Sequence, residues 1–258
     1  MLSRERQQKI LEMMQRTKVI KITDITSKFG VSTETARRDL DILRSQNLIK
    51  RIYGGAALIT PITYEPSYFT REVLHSAEKI AIGKKAAELI EDGQTIILDV
   101  GTTTIELARS IKHRSSIIVL TNSLPIVNEL SNSDINLHIM GGKVNKSFLS
   151  MSGSLTLSAL KQYYVDIAFI GAGGVTFRDG ISDFNIEEAQ VRKFSIERAK
   201  KTILLADSSK FGMNAFAIVC PLEAVDVIVT DWNIDPLVLS GLREQKITVI
   251  VADKPDDI

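Results

Sequence analysis

The chain contains 258 residues, 44% hydrophobic and 24% charged, with a formal net charge of +1 at pH 7. This composition is typical of globular proteins and excludes collagen-like, disordered and low-complexity classes. The single cysteine, Cys220, excludes a disulfide framework, and the three scattered histidines show no metal-ligand spacing. The sequence begins MLSRERQQKI, without the apolar stretch of a signal peptide, and contains no run of 18 apolar residues. A cytoplasmic protein without metal, cofactor or membrane partner is expected.

The near-neutral total hides an uneven distribution of charge. Residues 1–58 carry twelve lysines and arginines against six acidic residues, a net charge of +6, whereas the other 200 residues carry −5. A basic segment ahead of an acidic body is typical of a nucleic-acid-binding domain joined to a domain with another task. The alternative is that the lysines and arginines only solvate helical faces.

The basic segment is predicted to begin with two helices separated by a short strand. Ser3 is placed to cap a helix that ends near Arg16, and the stretch 19–22 favours a strand. Thr23 is predicted to cap a very short second helix that stops at Gly30 in the left-handed conformation.

A third helix is predicted over residues 33–46, with Ser32 as its cap. Its buried stripe is formed by Ala36, Leu40 and Leu43. A short helix, a turn containing glycine and a longer capped helix form a helix-turn-helix, whose second helix enters the major groove of DNA.

The first turns of this third helix carry the residues expected to contact bases, which are Thr33, Thr35, Arg37 and Arg38. An arginine can pair bidentately with guanine or with a phosphate. The alternative is that both arginines pair with Asp39, Asp41 or Glu34 on a solvated helix face.

Residues 48–53 alternate weakly as a basic strand that stops at Gly54-Gly55. Such a hairpin after a helix-turn-helix is a wing, which would place Lys50 and Arg51 near flanking phosphates. The predicted DNA contacts are Ser32, Thr33, Thr35, Arg37, Arg38, Lys50, Arg51 and Tyr53.

The stretch FGVSTETARRDLDILRSQNLIKRIYGGA closely resembles the signature of the DeoR family of bacterial transcriptional regulators. The resemblance includes the RRDL core, the basic strand and the GGA ending. It departs from the family at Ala36, where the family usually has a larger aliphatic residue.

Residues 59–77, with Pro61 and Pro66, are predicted to be a linker between a DNA-binding domain over 1–58 and a second domain over 78–258. In the second domain, amphipathic helices alternate with continuous apolar stretches. Seven of these stretches are predicted as strands, at residues 95–100, 116–122, 135–142, 166–174, 202–207, 226–231 and 247–253. The pattern predicts an α/β fold with a mostly parallel sheet covered on both faces. In the first of these helices, Ile80, Ala87 and Ile90 are among the residues expected to face inward.

Glycine, threonine, serine and aspartate recur where the predicted strands end, which is the edge where open α/β sheets bind ligands. Backbone N–H groups, hydroxyls, a helix N-terminus after Gly101 and the charge of Lys210 would form an anion site. A small, polar, phosphorylated ligand is therefore predicted. For any single loop, the alternative that these residues only turn the chain is at least as good. The predicted ligand contacts are Asp99, Gly101, Thr102, Thr103, Thr104, Thr121, Asn122, Gly141, Gly142, Gly171, Asp183, Glu187, Glu188 and Lys210.

The second domain also resembles the DeoR family, in its effector-binding domain, through the elements GTTT, TN, GG, GAGG and DSSKFG. The resemblance implies a fold similar to ribose-5-phosphate isomerases, phosphate binding by the GTTT loop and Lys210, and Glu188 at the position of their catalytic carboxylate. The segments GAGGV and ISDFNIEEAQ depart from those isomerases at residues needed for catalysis. Binding without turnover is expected.

Rival function classes have weaker support. A sugar-phosphate isomerase or acyl-transfer relative could use Glu187 or Glu188 as a base, but no second catalytic partner is evident. GAGGVT lacks the third glycine of a dinucleotide-binding motif, and no aromatic platform for RNA is visible. The expected protein is a transcriptional regulator, most simply a repressor, of a sugar or polyol operon, relieved by a phosphorylated sugar. It is expected to act as a homodimer or homotetramer on double-stranded operator DNA.

Overall fold

The computed structural model describes residues 3–17, 19–45, 48–58 and 65–255, and the chain divides into two compact units after residue 64. We call the first unit the head and the second unit the body. The head contains α1 (Ser3–Thr17), β1 (Val19–Lys21), α2 (Ile22–Phe29), α3 (Thr33–Ser45), β2 (Ile49–Ile52) and β3 (Gly55–Leu58).

The head is a helix-turn-helix followed by a wing, as predicted. Gly30 ends α2 in the left-handed conformation with φ of 62°, and the Thr35 N–H donates to Ser32 Oγ at 3.2 Å, so Ser32 caps α3. Strands β2 and β3 form an antiparallel hairpin, and β3 also pairs with β1. The predicted stripe of Ala36, Leu40 and Leu43 is buried in the core of the head. Residue 46, the predicted last residue of this helix, lies outside the described residues.

The predicted cap of the second helix was wrong. Helix α2 begins at Ile22, and the Lys21 N–H donates to Asp24 Oδ2 at 3.0 Å, so Thr23 lies inside the helix and does not cap it. The Asp24 carboxylate thus accepts from the N–H that precedes the helix. The predicted basic strand is β2, which ends at Ile52 before the two glycines, as predicted; Gly54 lies in the turn of the wing and Gly55 begins β3.

A buried carboxylate joins the first helix to the third. Asp39 is 1% exposed and accepts hydrogen bonds from Arg6 Nε at 2.5 Å, Gln7 Nε2 at 2.9 Å and Ser3 Oγ at 3.0 Å. Ser3 therefore binds Asp39, in contrast to its predicted role as a helix cap. Burial alone would raise the pKa of Asp39, but these three hydrogen bonds hold the pKa below its usual value. The cluster fixes α3, the predicted recognition helix, against α1.

The Asp39→Ala variant is expected to destabilise the head by about 3 kcal/mol or more, because it leaves the Arg6 charge buried without a partner. Hydrogen exchange of the α3 amides in increasing urea measures this loss. The matched control is Asp41→Ala in the same helix, whose exposed carboxylate lies 3.7 Å from Arg51 and contributes at most about 1 kcal/mol. Equal losses in the two variants would contradict a structural role for Asp39.

The body alternates helices and strands along most of its length. Its helices are α4 (Tyr68–Val73), α5 (Ser76–Ala87), α6 (Thr104–Ile111), α7 (Leu124–Leu130), α8 (Ser154–Leu160), α9 (Ile186–Glu197) and α10 (Pro236–Glu244). Its strands are β4 (Thr95–Leu98), β5 (Ile118–Thr121), β6 (Asn136–Ile139), β7 (Lys143–Asn145), β8 (Ser150–Ser152), β9 (Val165–Ile170), β10 (Gly174–Thr176), β11 (Gly180–Asp183), β12 (Ala199–Leu205), β13 (Ala217–Cys220), β14 (Val227–Thr230) and β15 (Thr248–Val251).

Seven of these strands form one parallel sheet in the order β15-β14-β12-β9-β4-β5-β6. This confirms the predicted α/β fold, and all seven correspond to the apolar stretches predicted as strands. Two separate clusters of buried apolar residues border the sheet, as expected for a sheet covered on both faces. Because the strands are parallel, their carboxyl ends meet at one edge.

The short strands outside this sheet were not predicted. β10, β11 and β13 form an antiparallel three-stranded sheet, and β7 pairs with β8. In the chain, β7 and β8 follow β6, β10 and β11 follow β9, and β13 follows β12. Each of these short strands therefore comes after the carboxyl end of a main strand and adds polar side chains near that edge of the sheet. None of the helices in the described ranges is long and apolar enough to cross a membrane.

The second half of the predicted linker differs from expectation. Residues 65–77 belong to the body and contain α4 and the start of α5. Ser67 caps α4 by accepting from the Thr70 N–H, and Tyr68 is 4% exposed. The burial of Tyr68 and the contacts that Lys79 makes with the carbonyls of Arg71 and Leu74 hold this short helix to the body, although no sustained apolar period marks it in the sequence. Residues 59–64 of the predicted linker lie outside the described residues.

The residues predicted to face inward from α5 and the turn after it are confirmed in part. Ile90 is buried and Ala87 is half-buried, as predicted, whereas Ile80 is exposed and Ile82 is buried in its place. Residue 83 faces α6, because a Cβ at Gly83 would lie 2.5 Å from the backbone carbon of Glu106. Only glycine permits this close approach of the two helices.

Candidate functional site

The N-terminal half of α3 presents an exposed basic face. Thr33, Arg37 and Arg38 are exposed, while Ala36 points into the core. Within the ranges that the structure describes, neither arginine forms an ion pair or a side-chain hydrogen bond. The alternative in which both arginines pair with Asp39 is contradicted, since Asp39 is buried and bound to Arg6. Both guanidinium groups are therefore available to a polyanion.

Ser32 and Thr35 shape the start of this face. Their hydroxyls lie 2.9 Å apart, and Ser32 Oγ also accepts from the Thr35 N–H. Ser32 is exposed and Thr35 half-buried. Their predicted contact with DNA therefore uses groups that already hold the helix N-terminus together.

The wing residues differ from one another in their surroundings. Lys50 is exposed, and Tyr53 at the tip of the hairpin is fully exposed. Arg51 is half-buried, with Nη1 at 3.7 Å from Asp41 Oδ1 of α3. Arg51 thus connects the wing to the recognition helix, whereas Lys50 and Tyr53 remain open to solvent.

The main polar feature of the body is a buried ion triad at the carboxyl edge of the sheet. Arg192 of α9 donates through Nε to Asp99 Oδ2 at 2.5 Å and through Nη1 to Asp183. The Gly171 N–H also donates to Asp99 Oδ2, at 3.0 Å. All three charged residues are at most 3% exposed. The triad brings together three predicted ligand residues, Asp99, Asp183 and Gly171.

Arg192 was not among the predicted site residues. Burial raises the pKa of Asp99, while the two adjacent carboxylates raise the pKa of Arg192 and keep it charged. Its spacing provides a signal, because Arg192 lies four residues after Glu188 on α9 and so shares its helix face. A charged residue on an otherwise inward face indicates a buried partner.

Glu187 and Glu188 are adjacent in α9 but ionise differently. Burial raises the pKa of Glu188 to about 7, and Ser150 Oγ donates to its Oε1 at 2.5 Å. Its other oxygen, Oε2, is buried and has no hydrogen-bond partner in the described part of the chain. Hydrogen bonds from Ser152 at 2.8 Å and from Lys143 at 3.0 Å lower the pKa of Glu187. The two carboxyl groups thus differ in their hydrogen bonding. The Glu187 carboxylate accepts from a lysine, whereas one oxygen of Glu188 has no partner among the described residues.

The GTTT loop contains two kinds of threonine. Thr104 is fully buried, and its hydroxyl donates to the Gly101 carbonyl at 3.1 Å, which closes the loop before α6. Thr102 and Thr103 are 6% and 8% exposed, and among the described residues their hydroxyls have no hydrogen-bond partner. Thr102 and Thr103 therefore have hydroxyls available to a ligand, and Thr104 does not.

The TN and GG elements are occupied by contacts within the protein. Thr121 Oγ1 donates to the Leu98 carbonyl at 2.7 Å, and Asn122 Nδ2 donates to the Met151 carbonyl at 2.8 Å. The Gly141 carbonyl accepts from Thr156 at 2.9 Å. A Cβ at Gly142 would lie 2.2 Å from Thr156 Oγ1, so close packing alone requires glycine there. These four predicted residues thus have structural contacts that do not involve a ligand.

Lys210 lies in the turn after β12, which carboxylates hold in place. Asp207 accepts from the Ser209 N–H at 3.1 Å, and Asp231 accepts from the Ser208 N–H at 2.6 Å. Lys210 itself is half-buried, and its amine forms no ion pair with any residue that the structure describes. Its positive charge lowers the pKa of Asp207 against the effect of burial. The turn thus presents one unpaired cation at the carboxyl edge of the sheet.

The described residues contain no group of three or more histidine, cysteine, aspartate or glutamate side chains that could hold a metal ion. Among the described side chains that were predicted to contact a ligand, those without a hydrogen-bond or ion-pair partner are the hydroxyls of Thr102 and Thr103, the amine of Lys210 and Oε2 of Glu188. Together they can bind an anion and accept a hydrogen bond from a hydroxyl.

Changing Glu188 to Gln is expected to flatten the pH dependence of stability. The raised pKa means that the folded protein holds a proton that an unfolded glutamate loses near pH 4.5, so this contribution disappears as the pH rises through 7. The wild-type body is expected to lose about 3 kcal/mol from Glu188 between pH 5 and pH 8. The variant lacks this part of the decline and keeps the part that comes from Glu65, whose pKa burial also raises to about 7. Urea unfolding followed by the fluorescence of Trp232 measures both.

The neighbouring Glu187→Gln variant is the control. The lowered pKa of Glu187 places its titration below this pH range, so the wild-type decline is expected to persist. A Glu188→Gln protein with an unchanged decline would show that Glu188 is ionised in the folded state.

Comparison with known proteins assigns the two units to two known domain families. Residues 6–61 match the DeoR-like helix-turn-helix domain, and residues 74–232 match the DeoR C terminal sensor domain. The chain is 36% identical over 250 residues to the uncharacterized HTH-type transcriptional regulator YulB of Bacillus subtilis (strain 168), covering 96% of both proteins. It is 33% identical over 231 residues to the transcriptional repressor AccR of Agrobacterium fabrum (strain C58 / ATCC 33970), covering 89% of this chain and 90% of that protein.

A solved structure of ribose 5-phosphate isomerase A from Methanocaldococcus jannaschii aligns with a TM-score of 0.41 and 22% identity, covering 53% of this chain and 55% of that one. The two domain matches and the full-length relatives show the class of this protein, which is a DNA-binding regulator with a sensor domain. The chain belongs to the DeoR family of transcriptional regulators, as its motifs predicted. Its relatives are named as regulators, which agrees with the prediction that it is not an enzyme.

Proposed function

We propose that this regulator is a repressor of a sugar or polyol operon and that a phosphorylated sugar relieves repression by binding the body. The observation that carries the proposal is the set of unpaired groups at the carboxyl edge of the sheet. Lys210 supplies a positive charge that has no ion-pair partner among the described residues, and Thr102 and Thr103 supply hydroxyls without a hydrogen-bond partner there, just before α6. A phosphate group satisfies both needs, since it carries negative charge and several acceptor oxygens.

The sugar part of the ligand would be read by Glu188. Its Oε2 is buried without a partner, and leaving such an acceptor unsatisfied is costly. A sugar hydroxyl that donates to this oxygen removes the cost, whereas a deoxy analogue does not. The ion triad of Asp99, Arg192 and Asp183 would hold α9 in a fixed position against the strand ends, so that Glu188 can make this contact.

On the operator side, Arg37 and Arg38 would reach base edges or phosphates with Thr33, while Lys50 and Tyr53 of the wing would contact flanking DNA. Arg51, which already contacts Asp41, would set the position of the wing. A single head makes few phosphate contacts, so we propose that the chain acts as a homodimer or homotetramer that reads repeated half-sites. Ligand and operator would then weaken each other's binding by one coupling energy, typically about 1–3 kcal/mol.

Replacing Arg37 or Arg38 with Ala is expected to weaken operator binding roughly tenfold or more, because each loses a bidentate contact. A gel-shift titration at one fixed salt concentration measures the effect, with an operator selected from random duplexes by the wild-type protein. The thermal stability of both variants is expected to match that of the wild type, since both side chains are exposed.

The matched control is Arg44→Ala, which removes the same charge from the exposed C-terminal end of α3. Its affinity is expected to change far less. Unaltered binding by the Arg37 and Arg38 variants, or an equal loss in the Arg44 variant, would place the recognition surface elsewhere.

Replacing Lys210 or Thr102 with Ala is expected to leave operator binding intact and abolish release by ligand. A thermal-shift screen of hexose, pentose and polyol phosphates, each beside its unphosphorylated parent, identifies the effective compound on the wild-type protein. The same compound is then added to the operator complex of each variant.

Lys193→Ala is the control for charge loss, because Lys193 is an exposed lysine of α9. Its operator complex should be released as the wild-type complex is. Normal release of the Lys210 and Thr102 variants would mean that the phosphate binds at another place.

A further inference from the structure

Glu65, the first residue of the body, places a buried carboxylate beside the proposed phosphate site. Its side chain is only 10% exposed, and its Oε1 lies 2.9 Å from Nη1 of Arg71 in α4. The charges of Lys210 and Arg192 also act on this carboxyl group, together with the opposing charge of Asp183. A glutamate from the start of the body thus shares the positive charge that the proposed ligand would use.

The segment that carries Glu65 is attached to the same part of the body by several contacts. Lys79 of α5, itself 4% exposed, donates through Nζ to the carbonyls of Arg71 and Leu74. The Arg71 guanidinium also lies 5.3 Å from the ring centre of Phe148, in the loop between β7 and β8. Strand β8, which follows that loop, carries Ser150, the donor to Glu188. Contacts from both sides of the site therefore converge on residues 65–74.

We infer that Glu65 is an internal competitor of the anionic ligand: its carboxylate and the phosphate group both interact with the positive charge of Lys210, so ligand binding requires Glu65 to be protonated or displaced. The inference rests on the proposed phosphate site at Lys210. Two anions placed beside the same cations in a buried site repel each other strongly, which favours the neutral form of the carboxyl group. Residue 65 directly follows the last residue of the head in the chain. Release of Glu65 thus changes the anchoring of the segment by which the head is joined to the body.

The ionisation of Glu65 makes the competition measurable. Burial raises its pKa to about 7, opposed by the positive charge of Arg71. The carboxyl group is therefore mostly neutral at pH 6 and mostly ionised at pH 8. If an anion binds only when Glu65 is neutral, its apparent affinity falls in proportion to the neutral fraction, which is about tenfold over this range.

Sulfate is the probe for this experiment, since it mimics phosphate and keeps its double negative charge throughout this pH range. Isothermal titration calorimetry of the full-length wild-type protein with sulfate is expected to show about tenfold weaker binding at pH 8 than at pH 6. Glu65→Gln is expected to bind sulfate about as tightly as the wild type at pH 6 and about tenfold more tightly than the wild type at pH 8. All other titratable groups, including Glu188 and Lys79, are the same in both proteins and cancel in the comparison.

Two further variants make the test specific. Glu65→Asp retains a carboxylate and is expected to retain the pH dependence, whereas Glu223→Gln removes an exposed glutamate and is expected to behave as the wild type. Thermal unfolding checks that each variant is folded. Sulfate binding by Glu65→Gln with the wild-type pH dependence would overturn the competition and leave the proposed phosphate site standing. Wild-type protein that binds no sulfate, or a Lys210→Ala variant that binds it unchanged, would overturn both.

Discussion

The Arg192 guanidinium lies between Asp99 and Asp183, and the arrangement of the body around its ligand edge depends on this contact. Asp99 follows a central strand of the parallel sheet, Asp183 ends a strand of the small antiparallel sheet, and Arg192 belongs to α9. Removing any one of the three would leave a buried charge without its partner, a change that proteins tolerate poorly. The triad therefore contributes geometry more than stability. It holds Glu188, one helical turn before Arg192, at a constant distance from the strand ends.

The head uses the same principle with a different consequence. Asp39 is the only acidic residue of α3 that is buried, and it takes its hydrogen bonds from α1. This internal pairing leaves Arg37 and Arg38, two residues and one residue earlier, free of carboxylate partners within the described residues. Successive residues of a helix point about 100° apart. The order Arg-Arg-Asp in the motif therefore gives DNA contact and helix anchoring to different faces of α3. The arginines face outward toward a polyanion while the aspartate holds the helix in place.

The sequence was sufficient to predict the helix-turn-helix, the wing and all seven strands of the parallel sheet, because continuous apolar strands and capped helices carry strong local signals. It was insufficient for β10, β11 and β13, which have three or four residues each; β10 pairs with the next strand, β11, but β13 pairs with β11 from a distant part of the chain. Within the candidate site, local sequence marks the loops correctly but not the state of their side chains. Thr102 and Thr121 look equivalent in sequence, yet Thr121 is bound to the Leu98 carbonyl and Thr102 is free of such a contact among the described residues. Arg192 was not predicted because hydrophobic periodicity identifies the apolar face of a helix and places charged residues on the solvent-exposed face.

Gly83 has a mechanical consequence. Since α5 and α6 touch through their backbones there, the two helices have no layer of side chains between them that could deform. Helix α6 starts at the last threonine of the GTTT loop, and α5 is preceded in the chain by α4. A displacement of the GTTT loop is therefore expected to move α5 and α6 together as one rigid body. A methyl group at position 83 would separate the two backbones and weaken this coupling.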